Sequence, residues 1–355
     1  MIGQRLKIAR AASGLSLRGL SDKIGNLVSA QAISYYERDV TTPGSDVLLA
    51  LAAALDVSLD YLVGTQDMTV ESIDFRKKKI TRKREVARVE ATILHDLEHY
   101  LTIENILGLP GLDWDKPREA PYPVVNDLWE ADRAAHLLRN AWNLGLDPIP
   151  NLTGLLEEHG IKVLSIDLTN NIAGLTARVR QENEDIVSVI VVNGQECGER
   201  QRFTIAHELG HLMLDVAPAM DEEKAAHRFA GAFLMPAEMV WAAVGKHRHS
   251  IGYSELFALK NLFGVSVQAL TYRCRDLGVF NDTLFRRLFR DFSRRGWRSP
   301  PYEEPFPLQR EKPQRFERLC FRALSEDAVS EPKAAELLGI SVHELHRQMA
   351  EPPSN

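Results

Sequence analysis

Residues 203–214 read Phe-Thr-Ile-Ala-His-Glu-Leu-Gly-His-Leu-Met-Leu and contain the spacing H-E-x-x-H. His207 and His211 are four residues apart, so on a helix they lie one turn apart on the same face. Two neutral imidazoles in that arrangement can bind one zinc ion. Glu208 follows His207, and beside a metal its carboxylate can accept a proton from a water molecule and later release it. The stretch therefore predicts a helix with a metal-binding face and a catalytic carboxylate.

The opposite side of this helix carries Ile205, Leu209 and Leu212 at i, i+4 and i+7, the spacing of a face that packs on a core. A buried helix with two hydrogen-bonded histidines would contain the same polar residues, so it is the alternative interpretation. The apolar face has the correct helical phase relative to the histidines, and candidate third ligands follow downstream. Both features favour the metal site.

Length and composition limit the class of protein. The chain has 355 residues, enough for two or three domains, and its net charge of −6 gives no general sign of a nucleic-acid-binding protein. Its three cysteines are far apart and odd in number, which excludes a disulfide framework and fits a reducing compartment. The sequence contains no apolar run of membrane-spanning length and no N-terminal signal peptide. We therefore expect a cytoplasmic protein with no membrane partner.

Residues 1–67 predict a compact bundle of five short helices. Ser16 and Ser29 are placed to cap the second and third helices, and Ile33 of the third helix points inward. A helix, a tight turn and a second helix in so small a bundle is how proteins present a recognition helix to the major groove of DNA. A helical bundle used for protein contacts is the alternative.

Four segments of this bundle, residues 2–10, 15–21, 32–38 and 48–62, resemble the Xre/Cro-type helix-turn-helix family. The resemblance implies a lambda-repressor-like fold with double-stranded DNA as the partner. It also implies that Gln31, Ser34, Tyr35 and Arg38 face the DNA. Two-fold DNA sites are usual for such domains, so a homodimer is an open alternative to a monomer.

Residues 68–123 differ in character from the bundle. Basic residues cluster at 76–79 and 82–84, and residues 86–107 have helical apolar spacing. We interpret the region as a basic linker that continues into a long helix. The cluster is either a solvated helix face or an arm that contacts DNA phosphates beside the N-terminal domain.

Helix patterns at 126–144 and 152–159 precede the H-E-x-x-H helix, together with strand patterns at 161–166, 172–179 and 186–192. The last strand is apolar apart from Ser188, which predicts a central position in the sheet. This order of helices, small sheet and histidine helix is similar to that of zincin-type metallopeptidases. In such an arrangement the sheet edge beside the metal would bind a peptide as an added strand.

A catalytic zinc site uses three protein ligands, so a third must accompany the two histidines. The candidates downstream are Asp215, Asp221, Glu222, Glu223 and His227. Residues 222–234 predict a helix with an apolar stripe formed by Ala226, Phe229 and Phe233. Glu223 and His227 lie one turn apart on another face of this helix, so both could reach the same pocket.

Residues 202–212 and 223–236 together closely resemble the ImmA/IrrE family of metallopeptidases, and the resemblance extends over residues 125–300. It implies zinc as the cofactor, His207, His211 and Glu223 as its ligands, and Glu208 as the catalytic base. His227 stands where the family often has Asn, and it would lie beside the ligands or replace Glu223. Cys197, which precedes the histidine helix, is either a loop cysteine or a thiolate ligand to the zinc.

Residues 237–298 are predicted to be helical, and residues 259–273 resemble a second helix-turn-helix, packed behind the catalytic core in this family. Six arginines follow it and give a basic surface that is either solvated or a binding site for nucleic acid or an acidic partner: Arg286, Arg287, Arg290, Arg294, Arg295 and Arg298. Residues 299–355 predict a linker and a small helical tail. The predicted domains are therefore 1–67, 68–123, 124–298 and 299–355.

The sequence thus predicts a mainly helical α+β protein that joins a DNA-binding domain to a zincin-like domain with a small sheet. We expect a transcriptional regulator carrying a zinc endopeptidase. The family resemblance implies that this peptidase cleaves a repressor-like protein in a stress, prophage or mobile-element response. The fusion suggests that the DNA-binding half either localises the peptidase or is released by cleavage within residues 68–85. The alternative is a regulator, such as one of toxin–antitoxin type, whose metal site is structural or sensory.

Overall fold

The computed structural model describes residues 2–57, 59–63, 69–74, 83–109, 114, 124–168, 172–181 and 185–350. Within these ranges the chain forms 17 α-helices and a four-stranded sheet, which confirms the mainly helical α+β class. In the same ranges, none of the helices is both long enough and apolar enough to cross a lipid bilayer.

Five helices form the N-terminal bundle: α1 (Ile2–Ala12), α2 (Leu17–Lys23), α3 (Ala30–Tyr36), α4 (Ser45–Leu55) and α5 (Leu59–Val63). The strands are β1 (Thr69–Asp74), β2 (Lys162–Ile166), β3 (Gly174–Arg180) and β4 (Ile186–Asn193). Between β1 and β2 lie α6 (Lys83–Ile106), α7 (Leu128–Ala141) and α8 (Leu152–Glu158).

Six helices follow β4: α9 (Gly198–Met213), α10 (Glu222–Leu234), α11 (Ala237–Val244), α12 (Tyr253–Phe263), α13 (Val267–Asp276) and α14 (Asp282–Arg294). The chain then forms α15 (Arg315–Ser325), α16 (Glu331–Leu338) and α17 (Val342–Ala350). These last three helices are the tail that the sequence predicts.

The N-terminal bundle is capped as expected. The Ser16 side chain accepts a hydrogen bond from the Gly19 amide at the start of α2, and Ser29 does the same for Ala32 at the start of α3. Ile33 is fully buried in the core of this bundle, so α3 is held by one face and presents the other to solvent. This arrangement is the helix-turn-helix that the sequence predicts.

The sheet has the strand order β1-β3-β4-β2. β4 pairs antiparallel with β3 and parallel with β2, so it is central, as its largely apolar sequence predicts. The interpretation of residues 68–85 as a linker is wrong for Thr69–Asp74, because these residues form β1 at the edge of the sheet. The strand is stabilised by pairing with residues about a hundred positions away, which local sequence does not reveal.

Helix α6 connects the parts of the molecule. One side packs on the sheet through Ile93, Leu97 and neighbouring apolar residues. Arg5 of α1 forms an ion pair with Glu98, and Ile8 of α1 packs on the same apolar cluster. The basic cluster at 76–84 lies outside the residues whose side chains the structure describes, so its role stays a prediction.

Helices α7 to α14 surround a large core that lies on one side of β2 and β4, while α15 to α17 pack on α6 in a separate cluster. Helix α7 begins after Asp127, whose carboxylate accepts from two backbone amides, so the helix starts slightly later than the pattern predicted from residue 126. Helices α12 and α13 are packed into this core and include the fully buried Lys260, so residues 259–273 have a structural role. The six arginines of the basic surface are exposed, while their binding role stays a prediction.

Candidate metal centre

The predicted histidine helix is α9, which extends over Gly198–Met213. Its apolar face is buried as expected, with Ile205 and Leu209 fully inaccessible and Leu212 nearly so. His207 and Glu208 are also buried, at 8% exposure each, at the bottom of a cleft on the opposite side. The helix therefore has the two distinct faces that the spacing predicts.

Helix α10 brings an acidic residue to the histidines because it approaches α9 closely. Gly210 faces α10, and a Cβ atom there would lie 3.1 Å from Phe229 Cδ1 and 3.3 Å from the Ala226 Cα. A side chain at position 210 would therefore hold the helices apart. Phe229 and Ala226 are fully buried, which confirms the predicted apolar stripe. Asp221 caps α10 by accepting from the amides of Glu223 and Lys224, so Glu223 lies in the first turn.

Three side chains converge in the cleft. The Nε2 atoms of His207 and His211 are 3.0 Å apart, and the Glu223 carboxylate oxygens lie 3.4 Å from the first and 3.7 Å from the second. Ligand atoms about 2.0–2.1 Å from a tetrahedral zinc are separated by about 3.3 Å, since the edge of a tetrahedron is about 1.6 times the bond length. Among the described residues these three form the group with metal-ligand spacing. The donor set and its dimensions fit a zinc ion.

Electrostatics favour an ionised carboxylate at this position. A hydrogen bond from His207, together with the charges of His207, His211 and His227, lowers the pKa of Glu223 to about 2 against the opposing effect of burial. An ionised carboxylate is the form that binds a cation.

The two alternative ligands differ in their placement. The His227 ring lies 4.4 Å from the His207 ring, between centroids, but His227 is not part of the ligand group. Cys197 occupies the N-cap position of α9 without a capping hydrogen bond from its side chain, and it lines the cleft. Burial raises the pKa of its thiol, and Cys197 is not part of the ligand group.

Glu208 lines the same cleft and lies next to the start of the sheet strand β3. A Cβ atom on Gly174, the first residue of β3, would overlap the Thr204 side chain and lie 3.5 Å from Glu208 Cγ. The start of β3 therefore packs directly on the α9 turn that carries Glu208. Ile172, Ala173 and Gly174 line the cleft, whose volume is about 820 Å³.

The cleft also contains residues that sequence reasoning missed. Tyr302 comes from the segment interpreted as a linker, and the Arg200 guanidinium lies 4.5 Å above its ring. Tyr272 of α13 lines the same cleft. No local signal marks these residues, because Tyr302 follows two prolines in a stretch with the composition of a linker.

A buried ion cluster holds α9 in place. The Lys260 ammonium is fully buried and lies 2.5 Å from the Glu199 carboxylate and 3.2 Å from that of Glu304. Glu304 also accepts a hydrogen bond from the Val267 amide, and Glu199 accepts one from Leu308. The first turn of α9 is thereby tied to α12, α13 and the segment before α15.

Of the four residues expected to face DNA, Gln31, Ser34 and Tyr35 lie on α3 and Arg38 lies two residues after its end. Gln31 donates a hydrogen bond to the Tyr35 hydroxyl at 2.9 Å, and the Arg38 guanidinium lies 5.2 Å from the Tyr35 ring. Arg38 also donates to the Ser34 carbonyl. Gln31 and Arg38 are exposed and Ser34 is half-buried, so the group is available to a partner.

Comparison with known proteins supports both predicted domains. The family model described as a helix-turn-helix matches residues 6–62, and the peptidase M78 family model described as an IrrE N-terminal-like domain matches residues 156–275. The second match includes α9, α10 and all four residues of the predicted site.

Two curated proteins of Bacillus subtilis (strain 168) are similar to part of the chain. The HTH-type transcriptional regulator ImmR is 32% identical over 94 residues, which cover 26% of this chain and 72% of that protein. The uncharacterized HTH-type transcriptional regulator YobD is 37% identical over 67 residues, which cover 19% of this chain and 58% of that protein. No solved structure matches the chain significantly.

These matches define a DNA-binding regulator with a protease-like domain. The chain belongs to the HTH-type transcriptional regulators and carries an IrrE-like peptidase M78 domain behind its helix-turn-helix.

Proposed function

We propose that the second domain is a zinc-dependent endopeptidase and that its substrate is a repressor-like regulatory protein in a stress, prophage or mobile-element response. The observation that carries the proposal is the convergence of His207, His211 and Glu223 within metal-ligand spacing, with Glu208 beside them. Three protein ligands with one open position are typical of catalytic zinc sites.

His207, His211 and Glu223 would hold the ion. A bound zinc would supply a Lewis acid that makes a water molecule more acidic and polarises a peptide carbonyl. Glu208 would act as the base that takes the proton of the attacking water and as the acid that delivers it to the leaving amine. Its burial at 8% exposure keeps this proton exchange out of bulk solvent.

The N-terminal domain gives this chemistry a location. We assign DNA contacts to Gln31, Ser34, Tyr35 and Arg38, which contact one another on α3 and just after its end. A peptidase attached to such a domain acts on proteins bound at or near the same DNA, because attachment raises the local concentration. A repressor bound at a neighbouring site is such a protein.

Glu208→Gln tests the proposal. The variant keeps the ligand group, so it should bind zinc and DNA like the wild type while losing hydrolysis. New protein N-termini would be compared by terminal-labelling mass spectrometry in cells that produce either chain. Cleavage of a regulator only in wild-type cells is the expected result. Identical N-termini, with regulation by both chains intact, would favour a metal site that is only structural or sensory.

A further inference from the structure

The edge of the sheet beside the metal cleft is covered by a strand of the chain itself. β1 pairs antiparallel with β3, from Thr69 opposite Arg180 to Asp74 opposite Thr176. The other side of β3 pairs with β4. β1 is therefore the outermost strand, and over this length it satisfies the backbone groups of β3 that would otherwise be open to a partner.

This edge leads directly into the cleft. β1 runs towards the start of β3, and Gly174 lies two residues beyond Thr176, about 7 Å along the strand. Gly174 lines the cleft and packs on the turn of α9 that carries Glu208. An extended peptide that paired with β3 as an antiparallel strand would be guided to Glu208 along the path that β1 now occupies.

Extended peptides commonly bind proteins by adding a strand to an open sheet edge, with affinity from main-chain hydrogen bonds. Main-chain pairing does not depend strongly on sequence, so a strand tethered in the same chain competes well with any partner. Pairing within one chain is intramolecular, so β1 competes for the edge at a higher effective concentration than a separate partner. A partner present at micromolar concentration therefore pairs with β3 only when β1 has left that edge.

We propose that β1 is an internal competitor that closes the substrate edge of the metal site. A substrate is then a protein with an extended segment that replaces β1 on β3. Only the description of that segment as a substrate rests on the proposed function. Occupation of the β3 edge by β1 is a binding property and does not require hydrolysis.

The position of β1 in the chain links this closure to the DNA-binding domain. β1 lies between α5 and α6, and α1 is held on α6 by the Arg5–Glu98 ion pair and by Ile8. The covering strand is therefore the part of the described chain that comes next in sequence after the DNA-binding bundle.

A binding experiment tests the proposal without requiring activity. The probe is a fluorescein-labelled peptide with the sequence of residues 68–75, and the protein is the full-length Glu208→Gln chain loaded with zinc. A second chain also has residues 69–74 replaced by Gly-Ser-Gly-Ser-Gly-Ser. We expect the replaced chain to bind the peptide at least tenfold more tightly, which corresponds to an edge that β1 covers at least about 90% of the time. The control for non-specific binding is the same peptide with proline at alternate positions, which removes the backbone N–H donors that strand pairing requires.

A reversible lock guards against a folding defect in the replaced chain. Ser72 and Arg178 are opposite each other in the antiparallel register, at a separation that suits a disulfide. In a Ser72→Cys, Arg178→Cys chain that also carries Cys197→Ser, oxidation should abolish peptide binding and reduction should restore it. Hydrogen exchange of the β3 amides should accelerate in the replaced chain.

The outcomes separate this proposal from the proposed function. Equal peptide affinity of the native and replaced chains, or unchanged exchange in β3, would overturn the competitor role whether or not any protein is hydrolysed. Cleavage of the zinc-loaded wild-type chain just after Asp74, absent in Glu208→Gln, would make β1 a substrate strand and would also overturn it. Tighter binding by the replaced chain supports the closed edge even if no proteolysis is found, in which case only the proposed peptidase activity fails.

Discussion

Lys260→Met removes the cation of the cluster that holds α9. Lys260 is fully buried, and the Glu199 and Glu304 side chains are only 5% and 3% exposed. Breaking a buried ion pair on one side costs about 3–5 kcal/mol, because the remaining charge has neither water nor partner. Each carboxylate keeps one backbone amide donor, which offsets part of this cost. We expect a loss of about 3 kcal/mol in the free energy of unfolding.

Urea unfolding followed by tryptophan fluorescence measures this loss, since a change of this size is a large fraction of the 5–15 kcal/mol typical of a folded protein. Lys333→Met is the matched control: Lys333 pairs with Glu336 at 3.0 Å on a partly exposed helix surface, where such pairs contribute less than about 1 kcal/mol. In a Lys260→Met, Glu304→Gln chain, part of the stability should return because one unpaired charge is removed. A loss below about 1 kcal/mol in Lys260→Met, equal to that of the control, would refute the reasoning.

Three further predictions concern pH dependence, DNA binding and close packing. Burial lowers the pKa values of His95 and His99 to about 4. The unfolded state therefore binds protons more tightly than the folded state, and stability is lost as the pH falls from about 6.5 towards 4. His95→Phe should reduce the difference in Tm between pH 7.5 and pH 5, and an unchanged difference would contradict this. Arg38→Ala removes an exposed cation. It should weaken binding to a DNA fragment selected by the wild type by at least tenfold and lower the salt dependence of that binding, both measured by fluorescence anisotropy. Unaltered affinity would exclude Arg38 from the interface. Gly198→Ala should destabilise the protein by about 1–3 kcal/mol, because the added Cβ would overlap two backbone carbonyl oxygens of the segment before α15. The control is Gly252→Ala, where a Cβ meets nothing within 4 Å, and it should lose less stability in thermal unfolding. Equal losses in the two variants would argue against the overlap.

The sequence predicted the parts of this fold whose signals are local. The spacing of His207 and His211 relative to Leu209 predicts both the metal-binding face and the apolar face of α9. The N-caps Ser16 and Ser29 mark the first turns of α2 and α3. A periodic pattern or a capping side chain acts within one or two turns, so it can be identified from the chain alone.

The parts that could not be predicted depend on distant partners. The spacing on α10 alone does not decide whether Glu223 or His227 is the third ligand. The structure does, because the close approach of α9 and α10 at Gly210 places Glu223 within metal-ligand spacing of both histidines. β1 is a strand because β3 offers an open edge, and its six residues carry little signal beside a basic run. Glu304 belongs to a segment with the composition of a linker, yet it is buried against Lys260.

Metal content measured by elemental analysis tests the central claim most directly. The wild-type chain, purified without chelator, should contain about one zinc per chain, and both His207→Ala and Glu223→Ala should lose it. Glu222→Ala is the matched control, because Glu222 is the neighbouring acid on α10 and lies outside the ligand group; it should retain the metal. Zinc bound equally by wild type and Glu223→Ala, or no metal in the wild type, would contradict the site.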